Sequence, residues 1–193
     1  MEITAVKTPA GNAASFIIAA ETPADVAQRE TLLDRAMGPG RKRKSSEKLR
    51  RGRKPSEGLA FIARSTSGGV IGTVRLWDVS FAQGEKEGSA LLLGPLAVDP
   101  AHAGGGIGAA LMRHAIEEAA RLGHRAILLV GDAPYYARFG FSADKTTGLA
   151  MPGPYERARF LALELELDAL DGARGTLKAN GRRVKSGGMQ LAA

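Results

Sequence analysis

Apolar and polar positions along the chain fall into runs that outline most of its elements. Residues 16–20 form a short apolar strand. Thr22-Pro23-Ala24-Asp25 then opens a helix, with Thr22 suited to the N-cap and Pro23 to the first helical position. Val26, Leu32, Leu33 and Ala36 give that helix an apolar side, and Gly38-Pro39-Gly40 stops it. Residues 59–64 and 69–80 read as strands joined by the hairpin loop Thr66-Ser67-Gly68-Gly69. After a turn at 83–88, residues 90–98 are almost wholly apolar, as in a strand buried on both faces. Gly108, Leu111, Met112, Ala115, Ile116 and Ala119 recur at helical spacing, which predicts an amphipathic helix over 107–122. Residues 126–130 read as a second buried strand, 134–139 as a short helix, and 160–167 as a strictly alternating strand with one buried face. The order is β-α-α-β-β-β-α-β-α-β. Short turns make the middle three strands antiparallel, and the unit 90–130 makes a parallel pair with a right-handed crossover. The expected fold class is thus α/β (α+β mixed), a mixed central sheet with helices on both faces.

The length of 193 residues suits one domain with extensions. We divide it into an N-terminal extension (1–14), a main domain (15–168) and a Gly-rich basic tail (169–193). Hydrophobic content of 44% and charged content of 24% are ordinary for a globular protein. No apolar run approaches the ~20 residues of a membrane helix, and no leader pattern is evident, so a cytoplasmic protein without membrane contact is expected. Cys is absent, which removes disulfides, Cys-ligated zinc and a cysteine nucleophile. No His-rich cluster suggests a metal. The net charge of +7 is local: the run 41–54 carries nine basic residues and one acid, Glu47. It reads first as a solvated basic loop inserted in the domain. An acidic partner is a second reading. Nucleic acid is disfavoured, since no aromatics interleave with the charges.

Residues 96–111 carry the densest chemical signal: a buried strand, then Pro100-Ala101-His102-Ala103-Gly104-Gly105-Gly106-Ile107-Gly108-Ala109, then the amphipathic helix. A helix start leaves backbone N–H groups unpaired under a partial positive charge, and glycines let an anion approach them. A diphosphate fits such a cradle. A phosphate-binding P-loop fails, because Gly108 is followed by Ala109-Ala110 rather than Lys-Ser/Thr. Gly104, Gly106 and Ala109 match a dinucleotide fingerprint, but that fingerprint belongs on the first strand of a repeating β-α-β fold. Here it follows three antiparallel strands. Coenzyme A is the third reading.

Residues 96–108 resemble motif A of the GNAT acyltransferases, Q/R-x-x-G-x-G/A after a strand ending in Leu-Ala-Val. Gly106 and Gly108 fall on the two glycine positions. Ala103 takes the Gln/Arg position, so one side-chain clasp is missing and the backbone donors remain. Tyr136-Ala137-Arg138-Phe139-Gly140-Phe141 resembles motif B, and Gly94-Pro95-Leu96 with Tyr135-Tyr136 resembles the YhbS-like branch. The similarity spans about 16–167. It implies the GNAT fold, with its parallel pair splayed, and an N-acetyltransferase that moves acetyl from acetyl-CoA to a primary amine. The implied cofactor contacts are Leu96, Ala97, Val98, Ala103, Gly104, Gly105, Gly106, Ile107, Gly108, Ala109, Tyr136 and Phe139. A backbone N–H near Leu96 and Val98, freed by a β-bulge, would polarise the thioester carbonyl, and Tyr136 would protonate the leaving thiolate. Tyr135 is the alternative if helix phase exchanges the pair. Glu57, Asp78, Glu85 and Glu87 are candidate bases by location alone, and a water relay is an equal reading. Small amines and protein or peptide amines stay open as acceptors, the run 41–54 would border the acceptor site, and homodimers are common in the family. A non-catalytic acyl-CoA sensor and a Rossmann-like dinucleotide binder are the competing functions.

Overall fold

The computed structural model describes residues 15–184; the expected extension 1–14 and the end of the tail lie outside the described residues. Eight strands form the sheet: β1 (Phe16–Ala20), β2 (Ala60–Ser65), β3 (Val70–Gln83), β4 (Lys86–Val98), β5 (Ala126–Val130), β6 (Leu149–Ala150), β7 (Phe160–Glu164) and β8 (Ala173–Ala179). Along the main path they are ordered β1-β2-β3-β4-β5-β7. The pairs β1/β2, β2/β3, β3/β4 and β5/β7 are antiparallel, whereas β4/β5 is parallel. The helices are α1 (Val26–Met37), α2 (Glu47–Arg50), α3 (Ile107–Arg121) and α4 (Ala133–Ala137). One β-α-β crossover, β4-α3-β5, stands in an otherwise antiparallel path, as the sequence predicts and unlike the repeating units of a dinucleotide fold.

α3 covers one face of the sheet and α1 the other. Ile107, Leu111, Met112, Ala115 and Ala119 are buried and join Val74, Leu76, Leu91 and Ile127 in the larger core cluster. On the opposite face Leu32 and Leu33 of α1 pack on Ile62, Val70 and Ala97. α3 lies close because Gly72 has no side chain. A Cβ there would stand 2.9 Å from both Ile107 Cγ2 and Leu111 Cδ1. Gly72→Val therefore overpacks the α3–β3 contact at a cost of about 1–3 kcal/mol. The expected result is a melting temperature lower by about 2–4 °C per kcal/mol, read by calorimetry; an unchanged value would refute this packing account.

Three expectations change. The stretch after 169, read as a tail, supplies β8, which continues along the edge of β3 beyond β2, pairing Val79 with Ala179 and Gln83 with Ala173. Leu177 is its apolar anchor in the second core cluster. β7 ends at Glu164 and does not alternate: Phe160, Leu161 and Ala162 are all buried, because the two clusters cover its two faces. The basic run is more than a loop: Lys42, Arg43, Lys44, Lys48, Arg51 and Lys54 are exposed, but the run carries α2 and is anchored. Leu49, its one large apolar side chain, is 3% exposed in the second cluster and pins α2 against Trp77 and Leu177. The chain end ties the run from outside, with Lys54 N–H donating to Arg182 O at 2.7 Å and Val184 N–H to Gly52 O at 2.9 Å.

Candidate active site

β4 and β5 stay paired only at Leu91/Ile127 and Leu92/Leu128. Beyond that point β4 follows β3 as far as Val98, and β5 follows β7 to Val130. The sheet opens into a wedge between strands that no other strand fills. On its other side β4 carries a β-bulge: Leu93 faces Leu76 and Leu96 faces Val74, so Gly94 and Pro95 together oppose Arg75. Trp77 Nε1 donates to Gly94 O at 2.6 Å and fixes the bulge.

The glycine loop lies past the end of β4. Asp99 organises its start by accepting Ala101 N–H at 3.0 Å and Arg35 Nη1 at 2.6 Å, and these contacts hold the Asp99 carboxyl below the usual carboxylate range. Gly104 and Gly106 adopt positive φ, 81° and 74°, which a side chain at either position would strain. The first helical bond runs from Ala110 N–H to Gly106 O, and the N–H groups of Gly104, Gly106, Ile107, Gly108 and Ala109 have no acceptor among the described residues. Ile107 turns its side chain into the core while its amide stays at the loop. Ala103 is exposed at the rim and Gly105 half-buried, whereas His102 turns Nδ1 inward, where it is buried without a partner.

α4 divides the two tyrosines between the ends of the wedge. Tyr135 faces the loop: a Cβ on Gly108 would stand 3.1 Å from its hydroxyl and 3.5 Å from Val98 Cγ2. Its ring stacks with Phe139, and Arg138 lies 4.0 Å above it. Tyr136 turns instead onto Gly131, where any Cβ would collide with the ring, and packs against Phe141. Burial pushes the Tyr136 phenol up to about 12. Tyr136 forms part of the wall of a cavity of about 300 Å³, with Leu93, Gly94, Leu96 and Val130 from the splayed strands. Val98 and Leu96 pack on the α3 side of β4, whereas Ala97 points to the α1 side, so it offers a ligand its backbone alone.

None of Glu57, Asp78, Glu85 or Glu87 lines this cavity. Asp78 accepts from Ser56 Oγ at 2.7 Å, Glu87 accepts from Ser80 Oγ at 2.7 Å, and Glu57 reaches Arg182. The carboxylates that do line it are Glu30 and Glu47. Burial raises the Glu30 carboxyl, but hydrogen bonds and charge from Arg41 and Arg29 outweigh this and hold it at about 2. Ionised and doubly paired, it is a poor proton acceptor. A carboxyl lowered by folding stabilises the native state above its unfolded value, 4.5, and loses that contribution as pH falls through 2. Glu30→Gln therefore flattens the fall in stability between about pH 4.5 and pH 2, read by urea titration at stepped pH; parallel curves for both proteins would contradict the pairing.

Arg50, from the run expected to border the acceptor site, and Gly94, from the Gly-Pro-Leu resemblance, also line the cavity; Arg75 and Trp77 line it too, with no role assigned to them from sequence. Two signals were available: Gly-Pro inside an apolar strand marks a bulge, and the one apolar residue in a basic run marks its buried face.

A glycine-rich helix start at one end of a splayed parallel pair and a half-buried phenol at the other match the acyltransferase class that the motifs resemble. Residues 56–143 match the acetyltransferase (GNAT) domain. The chain is 30% identical to the uncharacterized N-acetyltransferase YhbS of Escherichia coli (strain K12), over 84% of this chain and 95% of that one. It therefore belongs to the GNAT family of N-acetyltransferases. The crystal structure of E. coli YhbS in complex with CoA superposes with a TM-score of 0.71 at 26% identity, covering 90% of this chain and 94% of that chain. A GNAT acetyltransferase from Brucella melitensis in complex with acetyl-CoA gives 0.61 at 25% identity, covering 86% and 97%.

Proposed function

We propose that this protein transfers an acetyl group from acetyl-CoA to a primary amine in the cytoplasm, by direct attack. The observation that carries the reading is the wedge itself. It joins five unpaired amides to a cavity walled by Tyr136, and two similar structures were solved with CoA or acetyl-CoA. In this reading the amides of Gly104, Gly106, Ile107, Gly108 and Ala109 grip the diphosphate. Ala103 contributes no side chain. The pantetheine arm runs along Leu96, Ala97 and Val98 in the place of a missing strand, and Phe139 with Tyr135 closes its outer side.

The chemistry follows from charge. The neutral amine nitrogen attacks the thioester carbonyl carbon, and negative charge grows on the oxygen. A backbone N–H beside the bulge stabilises it. The C–S bond then breaks and the electron pair leaves on sulfur. Tyr136 delivers its proton to that sulfur and recovers one from solvent. The cationic nitrogen loses its proton to water; of the two carboxylates in the cavity wall, Glu30 is held ionised by Arg41 and Arg29, and Glu47 pairs with Arg50.

Because the chain has no cysteine, a thiol reagent reports released CoA without background from the protein. Acetyl-CoA plus a panel of primary amines should release thiol in proportion to acetylated amine. Ala103 favours one other reading, a sensor that binds acetyl-CoA without turnover; it predicts binding and no thiol with any amine.

A further inference from the structure

The acceptor end of the cavity carries an arginine whose pairing is incomplete. Arg50 of α2 is 10% exposed at its side chain. Its Nη2 reaches Glu47 at 3.3 Å and Ser46 Oγ at 3.2 Å, while Nε is buried with no partner. A Cβ at Gly94 would stand 3.6 Å from its Nη1, so the guanidinium lies against the bulge in the cavity wall. Arg75, opposite that bulge, lines the same cavity; it pairs with Glu21 and stacks on Trp77 at 5.2 Å. Arg41 adds a third cation, paired outward with Glu30 and Asp34. Burial lowers the Arg50 guanidinium below its usual value; Glu47 opposes this, and the positive charges of Arg75 and Arg41 add to it. A largely buried guanidinium with unpartnered N–H groups, crowded by like charges, is costly unless an anion completes it.

We propose that the acceptor is a small primary amine bearing a carboxylate, and that this carboxylate docks on Nη1 of Arg50 with Arg75 behind it. The inference rests on the acetyl-transfer reading and names the class of its acceptor. Nη1 has no hydrogen-bond partner among the described residues and lies beside Gly94 in the cavity wall, so its N–H groups can donate charge-assisted hydrogen bonds to a carboxylate. The site is separate from the diphosphate cradle: Arg50 adjoins Gly94, on the Tyr136 side of the wedge, and the loop amides begin ten residues further along at Gly104. A carboxylate held there leaves the amine end of the same molecule free to point toward the thioester. The cavity volume of about 300 Å³ is at the small end of ligand sites and suits a metabolite-sized amine.

The test measures thiol release by the intact protein with acetyl-CoA and a ladder of amino acids that differ in amine-to-carboxylate spacing. Each is paired with its own primary carboxamide, which removes the charge and keeps the shape. At least one acid should have a KM about tenfold or more below that of its carboxamide. Arg50→Gln should abolish that preference, so that acid and carboxamide become alike, and Arg50→Lys, which keeps the positive charge but places its donors differently, should retain it only in part. The acid–carboxamide comparison uses the native protein and stands whether or not the variants fold. Equal KM values for acid and carboxamide, with thiol released from both, would overturn the carboxylate site and leave acetyl transfer standing. Preference for an amine bearing a phosphate monoester over every acid would replace the carboxylate and overturn the proposal too. Absence of thiol with all of them would remove both the site and the transfer reading.

Discussion

Tyr136→Phe lowers the rate of acetyl transfer by about 100-fold or more, the span expected when a positioned proton donor is deleted. The substitution keeps the ring that packs on Gly131 and Phe141, so the fold and the acetyl-CoA affinity stay close to native. The loss therefore falls on kcat, the signature of a group that acts in the transition state. The pH profile adds a second readout. An ordinary phenol loses its proton near pH 10, whereas burial raises Tyr136 to about 12. The proton is thus retained across the whole range in which the enzyme can be assayed, and no alkaline decline through pH 10 is expected from this group. Steady-state thiol release from pH 6 to about 11 checks both statements. A Phe variant with native kcat would reduce Tyr136 to a packing residue and reassign the donor to Tyr135 or water.

Gly108→Val weakens acetyl-CoA binding by about tenfold or more while leaving the unliganded protein as stable as before. The position is helical with ordinary φ, and glycine is the worse helix former by about half a kcal/mol, so the backbone accepts valine. What changes is space. The added Cβ lies 3.1 Å from the Tyr135 hydroxyl and 3.5 Å from Val98 Cγ2, so the side chain occupies the gap between Tyr135 and the end of β4. That gap is the path proposed for the arm that leaves the diphosphate cradle. Titration calorimetry measures the affinity, and a melting curve without ligand guards against simple unfolding. A variant that binds acetyl-CoA as the native protein does would place the cofactor elsewhere.

Local features that encode themselves were legible in the chain. The apolar run 126–130 became β5 unchanged, and the 107–122 periodicity became α3 within one residue. The glycine loop was legible because positive φ at Gly104 and Gly106 is a demand that only particular residues meet. The splay was not legible from the residues alone: nothing in Leu91 to Val98 says that pairing stops after Leu92, since that depends on β5 following β7 across the sheet. Long-range pairing also hid β8, whose segment holds three exposed residues, Arg174, Gly175 and Thr176, before Leu177 and gains its identity from the edge of β3. The basic run misled for a related reason. Nine basic residues dominate its composition, yet Leu49 decides its place, and Arg50 beside it is only 10% exposed. The resemblance to motif B pointed to Tyr136, and the structure sends it to the cavity and Tyr135 to the loop, a choice that rests on the absence of a side chain at Gly131.

The most direct test of acetyl transfer is thiol release by the purified protein given acetyl-CoA and a panel of primary amines, with mass spectrometry of the amines. The account predicts one acetylated amine for each thiol released, and near-silence from the Tyr136→Phe protein. Bound acetyl-CoA that yields no thiol with any amine would contradict it.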